Sequence, residues 1–356
     1  MWLYVLLTVV VVLLGMMVNS NYRGQVHTRG QMLNRVILVA VFLLLFAVSA
    51  CRIAVGNDYW VYRYQFLLIA QERHVSYEIG FQLVVYLMQL IFGYDNYLPI
   101  FALFSFVTVY FFVKAMYDQT DWFAYTVFLL MTGGYYFMSF DNVRYYFVLA
   151  VAMYAMKFAL QKKYWKFLFW ICFAACFHKT VLIVIPIYLV AQIVWSKKNV
   201  WLIPAVAVVL LFGKEILQFV IFKFYPFYEG SAFDTTNVSY ANIAKCGAVL
   251  IFCLLYFKPI ISKNKHLYFY FNLNLGALLL YCFATYIPEL SRICYYMLVG
   301  QIFLIPGVIV RIEKKWQRVL WSVLIGIAFV GYFYIFLKRS YATEIRLLPY
   351  LNWIFN

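Results

Sequence analysis

Phe140-Asp141-Asn142-Val143-Arg144-Tyr145-Tyr146 sits between two apolar runs, 122–139 and 145–160, and its reading decides the fold. Runs of that length reach across much of a bilayer core, which is about 30 Å thick. Arg144 therefore stands where an arginine costs at least ~2.5–3.5 kcal/mol on insertion scales and is retained for a partner or a function. Working outward, three more polar signals occupy comparable places: Asn57-Asp58-Tyr59, His178-Lys179 and Glu289-Leu290-Ser291-Arg292.

Composition fits that reading. Of 356 residues 67% are hydrophobic and only 12% are charged, with a mean hydropathy of +0.84. Apolar runs of about 16–20 residues recur from end to end, the pattern of a polytopic helical membrane protein. The first run, Trp2 to Val18, has no basic n-region and no small-residue cleavage site, so it reads as a retained span. The cysteines at 51, 172, 176, 246, 253, 282 and 294 lie in or beside apolar runs and form no CxxC pair. They indicate buried thiols, with no disulfide framework and no zinc site. P-loop and dinucleotide fingerprints are missing too, which removes those nucleotide-binding classes.

The net charge of +16 would suggest nucleic acid only if the chain lay in water. Basic clusters turned towards the cytoplasm give spans near 2–19, 36–54, 98–116, 122–139, 145–160, 166–178, 180–195, 200–220, 242–257, 267–286, 293–310 and 319–337. With flanking positions counted, the cytoplasmic side holds 17 Lys and Arg against three acids, Asp118, Asp121 and Glu313, and the other side 12 against 10. The basic excess is topological, and no nucleic-acid partner is expected. The expected fold class is all-α, an integral membrane helix bundle of about twelve transmembrane helices in one domain over 1–356. External loops are expected at 55–97 and 223–241. Glu78 to Tyr94 is expected as a re-entrant or interfacial helix in the first loop, because a full span there would turn the lysine clusters outward. Several spans are short, so tilt, kinks or partial crossings are expected.

The sparse polar residues then gather on the external side. Asp58 opens a loop dense in rings: Tyr59, Trp60, Tyr62, Tyr64 and Tyr77. A partly desolvated carboxylate there suits a general base, with Tyr59, Trp60 and Tyr62 as stacking platforms for sugars. The plainer alternative is an interfacial aromatic belt around a solvated acid. Glu78 is either a second candidate base or an acid favoured by a helix dipole. His178, next to the Lys179 ammonium, is either a neutral imidazole able to accept a proton or a satisfied core residue. Arg144 and Arg292 offer guanidinium forks that bind diphosphate oxygens, with Lys179 and Arg346 as helpers. Ion pairs with the nearby Asp141 and Glu289 are the structural alternative. Tyr228, in the aromatic loop 223–241, and Tyr350, after Pro349, complete the candidate sugar-binding set.

Taken in order, these signals resemble the EpsG family of bacterial exopolysaccharide polymerases, relatives of the Wzy polymerases. The likeness lies in Gly56-Asn57-Asp58 with Tyr62, then Glu78-Ile79-Gly80-Phe81, then Arg144 opening a helix that ends in Lys162-Lys163. It continues through Phe177-His178-Lys179-Thr180-Val181-Leu182 before Ile185-Pro186, Arg292-Ile293-Cys294-Tyr295-Tyr296 and Leu348-Pro349-Tyr350. Each piece is short; order and spacing over about 36–352 carry the likeness. Tyr145 departs from it, since the family often has Gln after its arginine. The resemblance implies a fold akin to the GT-C membrane glycosyltransferases, where an acid follows an early span in a first long external loop. Asp58 and 59–94 fit that place.

The activity implied is a glycosyltransferase needing no metal and no cofactor. It would join polyprenyl-diphosphate-linked (undecaprenyl-type) oligosaccharide repeat units into exopolysaccharide, capsule or O-antigen chains. The site would face the exterior or periplasm of the bacterial inner membrane. Its partners would be those lipid-linked substrates, membrane lipid and a chain-length regulator. A flippase for the same lipid-linked unit would also want arginines, but with related halves and charges near the midplane. A glycan O-acyltransferase would want a His-x4-Asp motif, which neither His74 nor His178 provides. The topology is testable with a membrane-impermeant maleimide on single-cysteine variants. Asp58→Cys and Arg292→Cys are expected to label in intact cells, and Lys163→Cys only after lysis.

Overall fold

Backbone polar groups inside a bilayer must bond within their own segment, so apolar runs of this kind fold as helices. The computed structural model describes residues 1–19, 28–196, 198–224, 230, 238–287, 289–341 and 346–354. In chain order its helices begin with α1 (Trp2–Met16), α2 (Arg29–Ala50), α3 (Tyr59–Ala70), α4 (Ile79–Phe92), α5 (Leu98–Gln119), α6 (Phe123–Thr132), α7 (Tyr135–Met138), α8 (Val143–Leu160) and α9 (Tyr164–Ala175). After a 3₁₀ turn at Lys179–Ile183 come α10 (Val184–Val190), α11 (Leu202–Phe212), α12 (Lys214–Phe224), α13 (Tyr240–Leu255), α14 (Lys265–Phe283), α15 (Leu290–Leu298), α16 (Gln301–Val310) and α17 (Lys315–Arg339). No strand occurs among the described residues, which show one isolated antiparallel bridge, Arg52–Asn352.

Five helices are long and apolar enough to cross a membrane: α2, α5, α8, α15 with α16 read together, and α17. The other seven expected spans each hold a helix that is shorter or less apolar than a lone crossing needs. This is an all-helical membrane protein. The contacts divide it into two compact units, Met1–Leu182 with Ile309–Asn356, and Ile183–Val308. No shift in composition marks those boundaries, which is why the chain reads as a single domain from sequence. Most of the loop 223–241, including Tyr228 and Asp234, lies outside the described residues.

In the first unit α8 is the central element, packed against α5 and α9. Within its apolar window 72% is buried, against 6% for α17. An apolar helix as exposed as α17 suits a lipid-facing position. Arg144 stands in the first turn of α8 and Lys157 in the last, about 20 Å apart at 1.5 Å per residue. Lys157 pairs with Asp118 at 2.5 Å, and Asp118 also takes Lys114 at 2.8 Å. The helix thus carries an apolar middle between two polar ends, as a crossing helix must. The 14-residue α4 is about 21 Å long, too short to cross a core of about 30 Å alone.

Two packing features fix the positions of the polar end. The segment after α2 runs beside the C-terminal segment: Ile53 N–H donates to Leu351 O at 3.0 Å, Trp353 N–H to Cys51 O at 3.1 Å and Gly56 N–H to Arg346 O at 2.9 Å. Tyr4 and Tyr350 pin the same segment, their hydroxyls donating to Leu347 O at 2.8 Å and Val48 O at 2.9 Å. The second feature is the start of α4, where Gly80 N–H donates to Cys176 O at 2.9 Å. A Cβ at Gly80 would lie 2.7 Å from that oxygen, so only glycine lets α4 close on the end of α9. Gly80→Ala is expected to cost about 1–3 kcal/mol through overpacking and to lower the unfolding midpoint in detergent. Gly247→Ala, whose Cβ meets nothing within 4 Å, is the control and is expected to leave the midpoint unchanged or slightly raised.

Candidate functional site

Four stretches of the first unit meet around the start of α8. The turn Gly56-Asn57-Asp58 arrives from α2. Gly56 has φ +96, and a Cβ there would lie 2.7 Å from Asp141 Cα and 2.8 Å from Phe140 O. Glycine therefore lets the turn lie directly on the 140–141 backbone. Asp58 N–H then donates to Asp141 Oδ1 at 3.0 Å, leaving Asp58 half-buried at the start of α3. Asn142 caps α8, its Oδ1 accepting from Tyr145 N–H at 3.3 Å. The same oxygen accepts from the Tyr62 hydroxyl at 3.3 Å, and that hydroxyl accepts from Arg144 N–H at 3.3 Å. Tyr62 thus ties α3 to the first turn of α8.

Arg144 is the charge these contacts deliver. Its Nη1 bonds Glu78 Oε2, and the side chains of Arg144 and Glu78 are 13% and 19% exposed. Glu78 Oε1 accepts from Lys179 N–H at 3.0 Å. Glu78 holds the N-cap position of α4 yet makes no capping bond with its side chain. The guanidinium carbon lies 3.5 Å from the centre of the Tyr77 ring, a cation–π contact. Arg144 Nε is buried and has no hydrogen-bond partner. Burial pushes the Tyr77 phenol above its usual pKa; Arg144 pulls it down while Asp58 and Glu78 push it up. Tyr62 is likewise raised by burial, opposed by Arg144. Both phenols stay neutral donors at physiological pH, and Asp58 is near enough for both to feel its charge.

His178 is buried beside this group, with Nδ1 2.8 Å from Thr180 Oγ1 and its ring edge-on to Tyr145 at 5.9 Å. The Lys179 side chain is exposed. Arg346 is exposed in a left-handed conformation, φ +51, and its carbonyl holds the Gly56 turn. Among the candidate sugar platforms, Trp60 is 48% exposed, whereas Tyr59 is fully buried and stacked on Phe101 at 4.7 Å. Tyr62 is also buried, and Tyr350 uses its hydroxyl on Val48. Tyr228 is outside the described residues. Arg292 belongs to the second unit, where it pairs with Glu289 three residues earlier at 2.9 Å.

One pairing differs from expectation. Asp141, the local acid, accepts the Asp58 amide, while Arg144 reaches Glu78 from a separate helix. Sequence distance misleads here because Asp141 belongs to the turn that Gly56 packs against. Asn142 was absent from the sequence-derived site, and Tyr77 was read as a ring of the Asp58 loop rather than as a partner of Arg144; Asn142 immediately before an apolar helix was a legible capping signal. Arg52, closing the run 36–54, was another legible signal. It is 1% exposed, bonds Ser49 Oγ at 3.2 Å and Ser105 Oγ at 2.9 Å, and lies over Phe101 and Phe140 at 5.5 and 5.2 Å. That environment is sealed from solvent, and Arg52 Nε is buried there without a hydrogen-bond partner.

Comparison with known proteins adds one result. No curated protein and no solved structure matches the chain. A family model does, described as the EpsG family, over residues 35–352. The matched region contains every residue of the cluster around Arg144, from Gly56 to Arg346, and nearly all of the chain. The protein belongs to the EpsG family.

Proposed function

We infer that the protein is a polysaccharide polymerase joining polyprenyl-diphosphate-linked oligosaccharide repeats at the outer face of the bacterial inner membrane. The observation that carries this reading is the gathering of Arg144, Glu78, Lys179 and Asp58 at one end of the central helix, far from the Lys157–Asp118 end. The family supports a role in polysaccharide synthesis at a membrane. The chemistry of the cluster supports an anionic leaving group and a hydroxyl nucleophile. In this proposal α3 and α4 lie at or re-enter the outer membrane surface, α8 is one of about twelve crossings and the fold is akin to the GT-C transferases.

The reaction follows from those parts. A hydroxyl of the incoming unit attacks the anomeric carbon of the growing chain. The bond from that carbon to the diphosphate oxygen breaks, and the lipid diphosphate leaves with the electron pair. Arg144, assisted by Lys179 and Arg346, stabilises the charge gathering on that oxygen. Asp58, half-buried at the start of α3, takes the hydroxyl proton. His178 and Glu78 are the other groups able to accept a proton here. Trp60 offers a sugar face at the rim. The Arg144 guanidinium supplies the positive charge that a divalent metal supplies elsewhere.

Purified protein given a defined lipid-linked repeat is expected to yield a product ladder that survives chelation. Arg144→Ala is expected to lower polymerisation by about 10²-fold or more, the usual loss when a donor to developing negative charge is removed. Asp58→Asn is expected to abolish elongation while leaving binding of the lipid-linked repeat intact, and His178→Ala to retain part of the activity. An unchanged ladder from Arg144→Ala sinks this function.

A further inference from the structure

Glu78 is bonded in an unusual way for an acid at the start of a helix. Its two oxygens reach past its own helix to donors on two others, Arg144 Nη1 on α8 and the Lys179 amide at 3.0 Å after α9. Neither the first-turn amides of α4 nor any capping bond uses its side chain. A guanidinium and a backbone amide converging on two oxygens of one anion are also what a phosphate group selects. The carboxylate takes the Arg144 fork at Nη1, while Nε stays buried without a partner. Tyr77 holds the guanidinium from its face at 3.5 Å, independently of Glu78.

We propose that Glu78 is a resident anion keeping the place of a substrate phosphate, displaced when the diphosphate of the lipid-linked donor arrives. This rests on the diphosphate reading of Arg144. The incoming group carries more charge and more oxygens than a carboxylate, and its two phosphates reach Nη1 through one oxygen and the Nε–Nη2 edge through others. Exchange therefore satisfies the donor that Glu78 leaves idle. When the lipid diphosphate departs, Glu78 returns to the two donors and helps expel it. No bond to carbon is made or broken by Glu78. It is a positioning residue that sets how tightly donor and product are held, and in that capacity it prevents product from staying bound.

The test is titration of purified protein in nanodiscs with farnesyl diphosphate, followed by calorimetry and by kinetics with the lipid-linked repeat. Glu78→Gln keeps an oxygen for the Lys179 amide but loses the competing charge. It is expected to bind farnesyl diphosphate about tenfold more tightly, the scale of one lost charge competitor in a partly buried pair. Its KM for the lipid-linked repeat is expected to fall, and kcat to fall with it as release slows. Glu78→Asp, too short to span both donors, is expected to show a smaller gain, and it carries the test by itself should the glutamine variant not fold. Arg144→Ala is expected to lose the binding. Unchanged or weaker binding in both Glu78 variants, with binding lost in Arg144→Ala, overturns the placeholder role and leaves the diphosphate reading standing. Wild-type binding in Arg144→Ala overturns both.

Discussion

A guanidinium within an apolar helix bundle must find its counter-charge within reach of a side chain, and Arg144 finds it in Glu78, 66 residues earlier in the chain. The pair is largely shielded from water, so it is unlike the surface ion pairs that contribute about 0–1 kcal/mol. Removing one partner of a buried pair costs about 3–5 kcal/mol, because the remaining charge is left without compensation. The placement of α3, α4, α8 and the turn after α9 is therefore constrained together. Glu78 can reach Arg144 and the Lys179 amide only if α4 starts against the end of α9, and Gly80 is the residue that permits that approach.

The two buried arginines of the first unit show how a cation can be accommodated for different ends. Arg52 is enclosed by serine hydroxyls, a backbone carbonyl and the faces of two phenylalanines, and is 1% exposed. It anchors the junction where the C-terminal segment lies beside 51–56. Arg144 has a carboxylate, a tyrosine face and a buried Nε without a partner, and its side chain keeps 13% of its surface open. The first arrangement is made of immobile neutral groups, although Arg52 Nε is also buried without a partner. The second is held by one anion that another anion can replace.

Local chemistry made several parts of the site readable. Asp58 after an apolar run, Arg144 opening another and His178-Lys179 closing a third stood out because charge among apolar residues is costly. The cap at Asn142 was readable for the same kind of reason, since a polar side chain ahead of a helix satisfies orphan amides. The partnership of Glu78 with Arg144 was not, and Asp141 was the acid proximity suggested. Pairing across the bundle depends on how α4 packs on α9, and no periodicity in either helix encodes that distance. The aromatic residues were equally opaque. Tyr59 and Trp60 are neighbours in sequence, yet one faces the core and the other is half exposed, because adjacent residues of α3 point about 100° apart.

Composition and the spacing of apolar runs determined the helical class, the membrane setting and which few charges were out of place, because desolvation acts on each segment by itself. Tertiary packing decided that the chain separates into two units, that Arg292 resides in the second, and that Glu78, Tyr62 and Asn142 serve Arg144. Those facts depend on contacts between segments far apart in sequence, which are fixed by close approaches such as Gly56 on Asp141 and Gly80 on Cys176. A glycine in the sequence records only that a side chain is missing; the folded chain alone shows which backbone fills its place.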